Sequence, residues 1–72
     1  MITFGQRFKK LKSAKGLTYT QIAQTLDLKE RTVKGYAADT IKPSFDALIA
    51  LADYFDVSLD YLVGRSDEPK RR

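Results

Sequence analysis

Only two or three residues around Asp27 and Leu28 separate two helical stretches, and that short link constrains this chain more than any other feature of it. In the stretch before the link, Thr18 and Gln21 fit a capping box, Leu17 and Ile22 sit at the positions of a hydrophobic staple, and Ile22, Ala23 and Leu26 form an apolar stripe. The stretch after it runs from about Lys29 to Ala38, with Val33, Tyr36 and the flanking Leu28 as its apolar positions and a polar outer face. Asp27 and Glu30 offer a capping pair of their own, which leaves the first residue of this second helix open by one or two. So short a link makes two helices cross steeply, and the small Ala23 stands where their backbones come closest. The same spacing also fits an ordinary αα-hairpin in a small bundle.

Three further helices are predicted. Phe4, Phe8 and Leu11 recur at i, i+4 and i+7, with Arg7, Lys9, Lys10 and Lys12 mostly on other faces, and Gly16 closes this first segment. After DTIKP, Ser44 is a good N-cap for a helix carrying Phe45, Leu48, Ile49, Ala52 and Phe55 on one side. Ser58 caps a short fifth helix that Gly64 stops, with Val57 and Leu62 at the staple positions. No β-alternation of comparable length occurs. The expected organisation is one all-α, five-helix domain over residues 1–64, followed by a polar tail, 65–72, with no apolar residue and an expectation of disorder.

Composition narrows the function. The 72 residues contain no Cys and no His, so disulfides, thiolate nucleophiles, imidazole bases and the usual zinc ligand sets are excluded, and no nucleophile elbow accompanies the serines. An enzyme is not expected, nor a metal or cofactor. The N-terminus lacks an apolar signal core, and no apolar run approaches the ~20 residues of a membrane span, which predicts a cytoplasmic protein. Residues 1–42 hold nine Lys/Arg against three Asp/Glu, whereas residues 43–64 hold four Asp/Glu and no basic residue. One half is suited to meet an anion.

FGQRFKKLKSAKGLT, IAQTL, IKPS, LIALADYFDVSLDYLVG and the ensuing RSD together resemble the Cro and phage-repressor (XRE-like) helix-turn-helix family from about Phe4 to Asp67. The resemblance implies a lambda-repressor-like DNA-binding domain with its helix-turn-helix at about 18–38. By that analogy the helix from Lys29 to Ala38 enters the major groove, and Glu30, Arg31, Lys34 and Gly35 stand at base edges. Their chemistry agrees: Arg31 can donate bidentately to guanine O6 and N7, and Glu30 can accept from cytosine N4. Gly35 permits close approach and reads nothing. The spacing puts Arg31, Lys34 and Gly35 on one face. Phosphate contacts are implied for Thr18, Tyr19, Thr40 and Lys42, aided by backbone N–H groups at a helix start.

The chain also departs from the family. Tyr19 replaces a common glutamine, Asp27 and Asp39 replace glycines, and Lys12 faces Ala37 where a family ion pair is often found. Asp39 is expected to bring negative charge near a phosphate. The implied protein is a bacterial or phage repressor that binds double-stranded DNA at an inverted-repeat operator as a homodimer, with Tyr54, Leu59, Tyr61 and Val63 as the surface between copies. The alternative is an antitoxin-like or other protein-interaction module of the same fold, whose partner is a protein such as an antirepressor or toxin.

Overall fold

The computed structural model describes residues 2–70 and is all-helical over them. Its helices are α1 (Phe4–Ala14), α2 (Tyr19–Leu26), α3 (Glu30–Ala37), α4 (Phe45–Phe55) and α5 (Leu59–Leu62). Four start on a hydroxyl cap. Thr18 and Ser44 and Ser58 each accept from the backbone N–H three residues on, as their positions predict. The fourth, Thr3, makes a full capping box with Gln6, a pairing that the Thr-x-x-Gln spacing also encodes.

All five helices stop in the same way. A left-handed residue follows the last turn: Gly16 (φ 65°), Asp27 (55°), Asp39 (60°), Asp56 (56°) and Gly64 (84°). The next residue donates its N–H back five positions: Leu17 to Lys12, Leu28 to Ala23, Thr40 to Gly35, Val57 to Ala52 and Arg65 to Asp60, at 2.8–3.0 Å. This double closure satisfies carbonyls that a helix end leaves open, and it reverses the chain within one or two residues. Glycine suits the conformation; at three of the five ends an aspartate adopts it instead.

The core is built around Phe8, Ile22, Val33, Leu51, Phe55 and Leu62, all fully buried. Phe8 is its hub, edge-on to Phe55 (5.7 Å between centroids) and Tyr36 (6.4 Å) and stacked with Phe4 (5.8 Å). α1 packs on α3 and α5, α2 on α3, and α4 on α5.

Three expectations need correction. On α4 the buried stripe is Leu51, Ala52 and Phe55 with the half-buried Leu48, whereas Phe45 is 71% exposed and Ile49 is also exposed. At ~100° per residue both lie round the flank of the helix, outside the arc that contains the buried positions. Arg7 is not a solvent-side cation: it is 3% exposed, with its guanidinium 3.8 Å above the Tyr61 ring and 3.4 Å from Asp67. Its Nε is buried without a hydrogen-bond partner among the described residues. Residues 65–70, expected to be disordered, fold back over the start of α5, where Ser58 donates its N–H to the Pro69 carbonyl (3.0 Å) and its hydroxyl to the Glu68 carbonyl (3.2 Å). Polar side chains and backbone hold this segment, which is why the absence of apolar residues misled. Residues 71 and 72 lie outside the described part.

Candidate nucleic-acid interface

α2 and α3 pack against each other on either side of the short link. Asp27 ends α2 in the left-handed conformation, and Leu28 turns inward against the core with its N–H on Ala23, 2.8 Å away. Asp27 therefore caps nothing on α3. That helix starts after Lys29, which provides no side-chain cap, and Glu30 instead accepts a hydrogen bond from the Thr20 hydroxyl across the α2–α3 gap. The bond links the first turns of the two helices and occupies part of the acceptor capacity that Glu30 would offer to cytosine.

The N-terminus of α2 keeps its donors outward. Thr18 accepts from the Gln21 N–H (3.1 Å), so its own O–H remains available to donate. The N–H groups of Tyr19 and Thr20 lie in the first turn and have no helical acceptor. Lys12 from α1 reaches this corner, its Nζ 4.5 Å above the Tyr19 ring. In place of the ion pair that the chain lacks, Lys12 thus forms a cation–π contact and adds a positive charge beside Thr18 and Tyr19. Sequence spacing could not single it out from the other lysines of α1.

On α3, Val33, Tyr36 and Ala37 are buried, while Arg31 and Lys34 are exposed. Burial raises the Tyr36 phenol above its ordinary pKa, so the ring stays neutral in the core. Gly35 departs from expectation. It is buried, because Ile41 lies over its α-carbon, and a Cβ there would overlap the Ile41 side chain. The Gly35 carbonyl also receives the N–H groups of Thr40 (3.0 Å) and Ile41 (3.2 Å) and the Thr40 hydroxyl (3.3 Å). Gly35 is thus the seat of the loop after α3 and does not open that helix to a base. Thr40 is exposed, but its hydroxyl proton is already used within the loop; Lys42 projects freely from the same loop.

Asp39 does not present its charge outward unbalanced. Its carboxylate accepts from the Thr3 hydroxyl (2.7 Å) and the Gly5 N–H (2.8 Å), which joins the loop after α3 to the N-terminus of α1. Those bonds, the Thr3 bond foremost, hold its carboxyl below the ordinary aspartate range, with a smaller contribution from Lys9. The positive end of the α1 dipole lies at the same place.

The residues expected between copies are dispersed in depth. Leu59 is exposed, Tyr54 and Val63 are half-buried, and Tyr61 is buried beneath Arg7, where it offers little to a partner. Ile41 lines a groove with Phe4, Pro43, Leu48 and Val63, whose lining also includes Thr3, Asp39 and Lys42, and Phe45 is exposed.

Residues 8–62 match the helix-turn-helix family model. The chain is 39% identical over 64 residues to the uncharacterized HTH-type transcriptional regulator YobD of Bacillus subtilis, a match that covers 89% of this chain and 57% of YobD. It is 29% identical over 70 residues to the HTH-type transcriptional regulator ImmR of the same organism, covering 97% of this chain and 55% of ImmR. The crystal structure of a transcriptional regulator from Listeria innocua superimposes with a TM-score of 0.83 at 40% identity, over 93% of this chain and 64% of that one. The chain spans little more than half the length of these Bacillus relatives.

Proposed function

The chain belongs to the helix-turn-helix family, and from that premise we propose that it is a sequence-specific, DNA-binding transcriptional regulator. It acts in the cytoplasm without catalysis or cofactor, as a repressor that occupies an operator. The observation that carries this reading is the exposed pair Arg31 and Lys34 on α3, with Thr18, Tyr19 and Lys12 together at the start of α2 and an exposed Lys42 in the loop after α3. Cations on the exposed face of the helix suit base edges, and cations and N–H groups at the neighbouring helix start and loop suit phosphates.

One copy measures 28 × 23 × 21 Å, less than the ~34 Å between successive major-groove faces. Two copies related by a two-fold axis would fill an inverted repeat. The surface between them draws on Leu59 and Val63, with Tyr54 at the margin and Phe45 as its most exposed apolar residue. Selection of bound duplexes from a random library tests specificity and symmetry together. A selected site without an inverted repeat would sink the dimer, and salt-sensitive binding with no sequence preference would favour a protein-interaction module.

Arg31 and Lys42 have different tasks in this reading. Arg31→Ala should cost about 1 to 3 kcal/mol on the selected site, relax one base pair per half-site, and change nonspecific binding much less. Lys42→Ala should weaken specific and nonspecific binding alike and reduce the salt slope by roughly one. Equal losses on cognate, single-base-variant and unrelated DNA for Arg31→Ala would remove α3 from base reading.

A further inference from the structure

We infer that Ile41 takes the place of the side chain absent at Gly35 and gives the outer face of α3 an apolar contact for the 5-methyl group of a thymine; this rests on the DNA-reading role proposed above. The helical step of ~100° puts Arg31, Lys34, Gly35 and Ala38 on the side of α3 opposite Val33, Tyr36 and Ala37, so Gly35 by itself would face outward. It is buried only because Ile41 covers it. The branched side chain of Ile41 therefore stands on the outer face of α3, one helical turn from Arg31, and it keeps 39% of its surface exposed there.

Hydrogen bonds to α3 fix the backbone at this position. The N–H groups of Ile41 and Thr40 both end on the Gly35 carbonyl, and Thr40 adds its hydroxyl to the same acceptor. Ile41 also lines a groove with the apolar Phe4, Pro43, Leu48 and Val63 and the polar Thr3, Asp39 and Lys42. A methyl-bearing group fixed in advance beside two exposed cations, Arg31 and Lys34, is suited to a thymine methyl, which offers area and no hydrogen bond. Four residues of helix rise about 6 Å, so the thymine should lie one or two base steps from the guanine that Arg31 reads.

Replacing each thymine of the selected site in turn by deoxyuridine removes one methyl group and nothing else. The wild-type protein should lose about threefold to fivefold in affinity at one thymine per half-site, the amount expected for one buried methyl. Ile41→Ala, which removes every atom beyond Cβ, should bring the affinities for thymine and uracil duplexes at that position close together, and Ile41→Val, which lacks only Cδ1, should retain more of the difference. A merely structural role for Ile41 would weaken binding to both duplexes and leave their ratio intact, and that result overturns the inference. So does a wild-type protein indifferent to every thymine methyl, a result that needs no variant to fold. Failure to select any site would instead remove the DNA-reading role itself.

Discussion

The turns at the two ends of α3 use one residue type in one conformation for opposite purposes. Asp27 and Asp39 are both left-handed (φ 55° and 60°), and each precedes a residue that donates its N–H back five positions. The Asp27 carboxylate makes no side-chain hydrogen bond among the described residues, so its turn is a local affair in which a side chain is carried where glycine would be easier. The Asp39 carboxylate binds Thr3 and Gly5, which lie more than thirty residues earlier. A departure from the family pattern is thus a conformational burden at one turn and a tertiary tie at the other, and backbone geometry alone does not distinguish them.

The tie is most strongly broken from its far side. A Cβ on Gly5 would overlap the Ala37 carbonyl oxygen and the Asp39 carboxylate together, so Gly5→Ala should destabilise the fold by about 1 to 3 kcal/mol, read as a lower urea midpoint with an unchanged slope. Asp39→Gly should also destabilise, by less, because it eases the backbone while removing the acceptor of two hydrogen bonds. Any gain in melting temperature for that variant would mean that the two turns are alike after all.

Acid should expose the same tie. Since the folded carboxyl of Asp39 is held low, its contribution is present above the ordinary aspartate range and is lost as pH falls through its lowered folded value. Wild type and Asp39→Asn should therefore differ in urea midpoint at neutral pH and converge in strong acid. A constant gap would assign the difference to shape and not to charge. The smallest effect is expected at the other turn: Asp27→Gly should stabilise by up to about 1 kcal/mol, opposite in sign to Asp39→Gly. If both changes to glycine destabilise, the comparison fails at the Asp27 end.

The same contrast explains what the sequence disclosed. Features that depend on neighbours within a turn or two were legible: the Thr18–Gln21 box, the Ser44 and Ser58 caps, the closures at Gly16 and Gly64, and the short link at Asp27 and Leu28. What depends on distant parts of the chain was not. Arg7 looks like a surface cation until Tyr61 and Asp67 arrive from the other end of the molecule. Gly35 looks outward until Ile41 returns over it, and Asp39 looks like a misplaced negative charge until Thr3 and Gly5 meet it. Of the candidate site, the outward placement of Arg31 and Lys34 followed from helical spacing, whereas the Thr20–Glu30 bond and the position of Lys12 required the packing of three helices.

The buried Arg7 also gives the molecule a built-in reference for chemical labelling. Dicarbonyl reagents selective for guanidinium groups need to reach the planar head group, which in Arg7 is stacked on Tyr61 and closed off from solvent, while that of Arg31 stands open. In the folded protein Arg31 should label readily and Arg7 only as fast as the domain opens. Added DNA should then protect Arg31 directly and slow Arg7 only through the stabilisation that a ligand of the folded state confers, so the two adducts in one digest would report occupancy of α3 and opening of the domain separately.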